Sequence, residues 1–188
     1  MLRGEFPSHY GKCDLPTEFR GDENPEELRA QGEALALLYL DQGCPEIEPA
    51  AVEMPVEGSI GGVHVRGFLD ILDVHGTIID LKTAAKSPSE ISPDYKFQVA
   101  TYRQLAGAMV NGEARVDTLV KNKTPKLVQL ATTVEPCDLE ATARLYPLAQ
   151  RSIRAGHFLP NRSSRTCSRK YCAAWRECQE QWGGRVAE

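Results

Sequence analysis

Asp70, Asp80 and Lys82 carry side chains that could act together on a phosphate ester. They lie in two apolar stretches, Gly67-Phe68-Leu69-Asp70 and Ile79-Asp80-Leu81-Lys82, on either side of His75-Gly76. Side chains alternate faces along a strand. Phe68, Asp70 and Leu72 are therefore expected on one face, and Ile78, Asp80 and Lys82 on one face of the next strand. A turn centred on His75 sets Asp70 opposite Asp80, with Cβ atoms about 4.5–5.5 Å apart. Carboxylates that close repel unless a cation lies between them, and hard oxygen ligands of this kind suit Mg²⁺ or Mn²⁺. Lys82 points into the same space, where an ammonium can stabilise charge growing on a phosphate or orient an attacking water. A bare Asp-x-Lys on a solvated hairpin would be only a surface ion pair. Here Leu69, Ile71, Ile78, Ile79 and Leu81 flank the acids, and carboxylates inside strands this apolar are costly unless they bind something.

The elements that must hold these groups follow from periodicity. Asn24-Pro25-Glu26-Glu27 is a helix start, with an N-cap, Pro at the first helical position and Glu three residues after the cap. Leu28, Leu35, Leu38 and Tyr39 recur at helical spacing, and Gly43-Cys44-Pro45 ends that helix near Gln42. Val- and Ile-rich segments at 47–56, 63–74 and 77–81, separated by 57–62 and by His75-Gly76, predict a three-stranded meander. Ser92-Pro93-Asp94 opens a second helix with Phe97, Thr101, Leu105 and Ala108 on one face, ending at Asn111-Gly112. Strands at 116–121 and 126–134 flank the turn 122–125. Pro136 starts a third helix with the stripe Leu139, Ala143, Tyr146 and Ile153. The order predicts an α+β fold: a central mixed sheet flanked by helices, with a basic, cysteine-bearing tail from Pro160, rather than regular βαβ alternation.

The 188 residues suit one domain. No stretch approaches the ~18 apolar residues of a membrane span, and the N-terminal residues lack the apolar core of a secretory signal. A cytoplasmic location is expected, where thiols stay reduced, so the six cysteines point to metal or cluster ligation more than to disulfides. Cys44 and Cys137 have no partner pattern and are expected to be small buried residues. Net charge is −4, but its distribution is uneven. Residues 14–57 hold 12 acidic and 2 basic side chains, whereas residues 151–188 hold 8 basic and 3 acidic ones, which makes the C-terminal part a candidate phosphate-binding surface.

Gly67-x-x-Asp70, a short hairpin and Asp80-x-Lys82 together resemble the core of PD-(D/E)xK nucleases. Gln98-Val99-Ala100-Thr101-Tyr102 on the following helix resembles the Gln-x-x-x-Tyr motif of the RecB-type exonuclease branch, with its AddB-like, CRISPR-associated and phage-type relatives. Its two polar side chains lie one turn apart on one helix face. The resemblance covers about Leu28 to Cys178 and implies a restriction-endonuclease-like core and a metal-dependent DNA nuclease, an exonuclease. It implies that Asp70, Asp80 and the backbone carbonyl of Leu81 hold Mg²⁺ or Mn²⁺, that Lys82 is catalytic, and that Gln98 and Tyr102 position the nucleic acid. Relatives often carry a histidine ligand on the first helix. This chain has none there, and Glu33 is the nearby carboxylate that could take its place. The Lys-rich turn with Lys121 and Lys123 resembles a backbone-contacting turn of phage-type members. Some members hold an iron–sulfur cluster between one upstream and three downstream cysteines. Cys13, Cys167, Cys172 and Cys178 fit that arrangement, with 160–188 packing against the Cys13 region; four thiolates suit [4Fe–4S] or zinc. The spacing of Cys167 and Cys172 is longer than usual in that family. An inactive nuclease-like DNA-binding protein and an endonuclease are the rival readings. Protein partners in recombination, phage replication or CRISPR adaptation are all compatible with this core.

Overall fold

Helix α1 (Pro25–Gln42) begins where the cap chemistry requires: the Asn24 side chain accepts a hydrogen bond from the Glu26 N–H at 3.0 Å, and Pro25 occupies the first turn. The structure is a computed structural model describing residues 24–164 and 166–186. Beyond α1, strands β1 (Pro49–Ile60), β2 (Val63–Asp73) and β3 (Ile78–Ala84) precede helix α2 (Pro93–Ala106). Strands β4 (Glu113–Val120) and β5 (Lys126–Thr133) follow, then helices α3 (Pro136–Arg154) and α4 (Trp175–Trp182). The chain divides into two compact units, Met1–Arg144 and Leu145–Glu188.

In the first unit the strands form one sheet in sequence order, antiparallel except for the parallel pair β3–β4 joined across α2. This is the mixed α+β architecture expected from the sequence. The register of β2 and β3 pairs Ile71 with Ile79 and Leu72 with Ile78, the alignment that a turn centred on His75 demands. Asp73 secures this turn: its carboxylate accepts from the N–H groups of His75 and Thr77, while Gly76 takes φ 86°.

Core residues lie on both faces of the sheet. On one, Val99, Ala100 and Ala106 of α2 pack with Val56, Leu69, Ile78 and Ala114. On the other, Leu35 and Tyr39 of α1 pack with Leu119, with Ile71, Leu81 and Leu127 at the margin. Strand β3 is buried at its start on both faces, as a central strand in a parallel pair must be.

Several boundaries differ from the periodicity. The expected loop at 57–62 is strand down to a two-residue turn, Gly61-Gly62, with φ 59° and 81°. Its polar residues are exposed cross-strand partners rather than loop: Arg66 lies 3.1 Å from Glu57, opposite which it pairs. Helix α2 stops at Ala106, where Gly107 turns to φ 59°. Its buried residues are Val99, Ala100, Thr101 and Ala106; Thr101 is buried as expected, Phe97 is half-buried, and Ala108 falls beyond the helix end in the turn Gly107–Met109. In α3, Thr142 is the buried residue while Ile153 is exposed. Cys44 is half-buried, but Cys137 is exposed in the first turn of α3, not buried as expected. Helix α4 lies within the tail that showed only charge and cysteines.

Candidate active site

Asp80 sits on a strand whose neighbours are apolar, and folding leaves it 1% exposed. Burial pushes its carboxyl above the ordinary range. The ammonium of Lys82 opposes that shift, and the charge of nearby Asp70 adds to it. Lys82 donates a hydrogen bond to Asp80 Oδ1 at 2.9 Å and lies 2.8 Å from Oδ2. The contact with Oδ2 is an ion pair that lacks hydrogen-bond geometry. A buried carboxylate held by one ammonium keeps lone pairs free, and such oxygens are the ligands a hard divalent cation takes. Thr118 lies beside Lys82 in the β3–β4 register, and its buried hydroxyl lacks a partner among the described residues. The Asp80 carboxylate and the Thr118 hydroxyl thus lie on neighbouring strands next to the same lysine.

Asp70 is held differently. Its Oδ2 accepts from the backbone N–H of Leu81 at 2.8 Å. The recorded β2–β3 pairing ends at Ile71 and Ile79, so the Asp70 side chain satisfies a β3 donor that the ladder leaves open. The backbone around it is irregular. Burial along β2 changes phase between Leu69 and Leu72, so Phe68 is exposed while Leu72 is buried, contrary to the strict alternation expected of them. On β1, Glu53 falls opposite Asp70 between the pairs Val52–Ile71 and Met54–Leu69, and it takes φ 50°. Strained non-glycine backbone of this kind persists where surrounding structure imposes it. Nothing in the sequence marks Glu53.

Helix α2 supplies the third side of the site. Gln98 Nε2 donates to the Tyr102 hydroxyl at 2.9 Å, so the helical pair expected from spacing is formed. The Tyr102 ring lies against β2 at Gly67, where a Cβ would come within 2.9 Å of Cε1. The glycine of Gly67-x-x-Asp70 is therefore a seat for Tyr102, three residues from Asp70. One turn before Gln98, Tyr95 presents its ring to Lys82, with Nζ 5.3 Å from the centroid. That cation–π contact and the bond to Asp80 fix the ammonium from two sides. Sequence reasoning missed Tyr95, although its i, i+3, i+7 relation to Gln98 and Tyr102 could have revealed it.

Glu33 is half-exposed and pairs with Arg29 at 3.1 Å, and no contact links it to Asp70 or Asp80. Lys121 and Lys123 are exposed in the β4–β5 turn. The Lys121 N–H donates to the Ala84 carbonyl at 2.7 Å, which sets this turn at the end of β3, two residues beyond Lys82. Cys13 lies outside the described residues. Cys167, Cys172 and Cys178 are half-buried free thiols. Among the described residues no three His, Cys, Asp or Glu side chains converge as a metal site, so these three do not form one by themselves.

A buried polar network on the opposite face was not anticipated. Asp117, fully buried, accepts from the Tyr39 hydroxyl at 2.9 Å and from Arg115 at 2.8 and 2.9 Å. It pairs in register with Leu81, so the network braces the residue that follows Asp80.

The family model of the PD-(D/E)XK nuclease superfamily matches residues 8–179. No curated protein matches the chain. Among solved structures it is similar to a candidate exonuclease from Eubacterium rectale, 13% identical, with a TM-score of 0.57, covering 89% of this chain and 70% of that one. It is also similar to SSO0001, 20% identical, with a TM-score of 0.52, covering 82% of this chain and 70% of the other. Likeness at such identities is one of fold. The family match spans the sheet and both helices that frame Asp70, Asp80 and Lys82, and on that match the chain belongs to the PD-(D/E)XK nuclease superfamily.

Proposed function

We propose that this protein is a divalent-metal-dependent DNA nuclease, an exonuclease of the RecB-type branch. Membership of the superfamily carries phosphodiester hydrolysis, generally with Mg²⁺ or Mn²⁺. The observation that carries the reading is Asp80: a fully buried carboxylate beside Asp70, with both oxygens within 2.9 Å of the Lys82 ammonium. The Gln98–Tyr102 pair seated on Gly67 supports the RecB-type assignment.

Asp70, Asp80 and the Leu81 carbonyl would hold the cation. Once bound, a divalent ion supplies Lewis-acid polarisation of the phosphodiester and acidifies water at neutral pH. Lys82, fixed by Asp80 and the Tyr95 ring, keeps a positive charge where the attacked phosphate gains negative charge. Water oxygen bonds to phosphorus, the P–O ester bond breaks, and the departing oxygen takes a proton. Gln98 and Tyr102 orient the strand, and Lys121 and Lys123 contact its backbone from the end of β3. Glu33 remains a proposed third acidic ligand only if its carboxylate leaves Arg29.

The test is cleavage of labelled linear DNA with Mg²⁺ or Mn²⁺ and with EDTA. The native chain should degrade it with metal alone, and Asp80→Ala should lower the rate by at least about a thousandfold with an unchanged circular-dichroism spectrum. Intact substrate with native protein leaves the inactive DNA-binding reading, and full activity of Asp80→Ala removes the mechanism. Covalently closed circular DNA separates the two active readings, because an exonuclease cannot start on it.

For the cysteines we propose a [4Fe–4S] cluster held by Cys13, Cys167, Cys172 and Cys178. The donor chemistry fits, since four thiolates suit such a cluster. The support is sequence spacing. Stoichiometric zinc in colourless protein would assign tetrahedral zinc instead.

A further inference from the structure

In the unit Leu145–Glu188, the segment 169–176 sets cations against aromatic rings. The Arg169 guanidinium lies 4.7 Å from the Trp175 ring centroid, and the Arg176 guanidinium lies 5.6 Å from it. Lys170 Nζ lies 5.7 Å from the Tyr171 ring. A tight turn presents them: the N–H groups of Tyr171 and Cys172 both donate to the Ser168 carbonyl, and Trp175 N–H donates to Cys172 at the entry to α4. Arg169, Lys170, Tyr171 and Arg176 are exposed, and Trp175 is half-buried. Neither Lys170 nor Arg176 has an ion pair among the described residues. Residues 151–188 carry 8 basic against 3 acidic side chains in a chain whose net charge is −4.

From this we infer that the segment 169–176 is a binding surface for single-stranded nucleic acid. Bases stack on Trp175 and Tyr171, and phosphates meet Arg169, Lys170 and Arg176. Cation–π contacts hold the cationic heads beside the rings, so charge and π surface are presented together. A single strand offers the matching chemistry of unpaired base faces spaced by phosphates. A duplex keeps its base faces stacked inside, and an acidic peptide has carboxylates but no faces to stack. The choice of DNA as the nucleic acid rests on the nuclease reading; the stacking surface does not.

The test uses full-length Trp182→Phe, which leaves Trp175 as the one tryptophan of the chain. A short labelled oligothymidylate is titrated in EDTA, with anisotropy reporting binding and tryptophan emission reporting stacking. Binding should quench Trp175. Trp175→Ala should raise Kd by about 5- to 100-fold while Trp175→Phe keeps most of the affinity. Arg169→Gln combined with Arg176→Gln should flatten the dependence of Kd on salt. A blunt duplex and heparin should leave the emission unchanged. Unchanged emission at saturating oligothymidylate, equal quenching by heparin or duplex, or an unaltered Kd in folded Trp175→Ala would each overturn the inference. Cleavage of linear DNA by a protein that fails this test would leave the nuclease reading standing.

Discussion

At the scale of single residues, Asp80 decides how the site responds to pH. Its carboxyl is raised by burial, against the pull of Lys82. The unfolded chain therefore ionises first as pH rises, and between the ordinary carboxylate range and the raised value folding stability falls. A divalent cation takes only the ionised form. Mg²⁺ should raise Tm more at about pH 8 than at about pH 5, and the increment should vanish in Asp80→Asn. An increment of equal size in the variant would place the cation elsewhere. Gly67 makes a second residue-level prediction. A Cβ there meets the Tyr102 ring, which cannot retreat without leaving Gln98. Gly67→Ala should cost about 1–3 kcal/mol in urea denaturation and lower the cleavage rate by displacing Tyr102. A variant as stable and active as the parent would show that the ring is not seated there.

At the scale of elements, the network of Tyr39, Arg115 and Asp117 ties α1 to β4 beneath the strand that carries Asp80. Removing Asp117 leaves the Tyr39 hydroxyl without its acceptor and the largely buried Arg115 guanidinium with Glu46 at 3.9 Å. Asp117→Ala should destabilise by about 3–5 kcal/mol, read from the denaturant midpoint. Burial, then the negative charge of Asp117, lifts the Tyr39 hydroxyl well above its ordinary range. The native state keeps the Tyr39 proton where the unfolded chain has lost it, so stability declines as pH climbs past about 10. Tyr39→Phe should be less stable by about 1 kcal/mol near neutrality and lose less on alkaline titration. Parallel curves for the two proteins would show that Tyr39 does not carry the alkaline loss.

At the scale of the whole molecule, acidic residues gather near the N-terminal end and basic ones near the C-terminal end, with the cysteines Cys167, Cys172 and Cys178 among the latter. Five described cysteines are free, and no three of the described ligating side chains converge. If Cys13 completes the set, protein purified without oxygen should be brown with four irons per chain. Cys167→Ser should then lose both colour and iron. Colourless, iron-free native protein would dismiss the cluster. No described helix is long and apolar enough to cross a membrane.

Most of the fold could be read from local signals. The Asn24-Pro25 and Ser92-Pro93 caps started α1 and α2, because capping depends on residues a few positions apart. The β2–β3 register followed from the turn around His75, because pairing is forced once the turn is placed. Gln98 and Tyr102 met because helical geometry brings i and i+4 together. What these signals could not carry was which face each strand would bury, and what would cover it. The change of burial phase at Asp70, the burial of Asp80, the Tyr95 ring over Lys82 and the Asp117 network all depend on residues far apart in the chain. Their energies come from desolvation, which exists only after the sheet and helices have closed over them. Sequence alone named the acids and the lysine and set them on adjacent strands; tertiary packing buried one acid, brought the other beside it, and set the Tyr95 ring against the lysine.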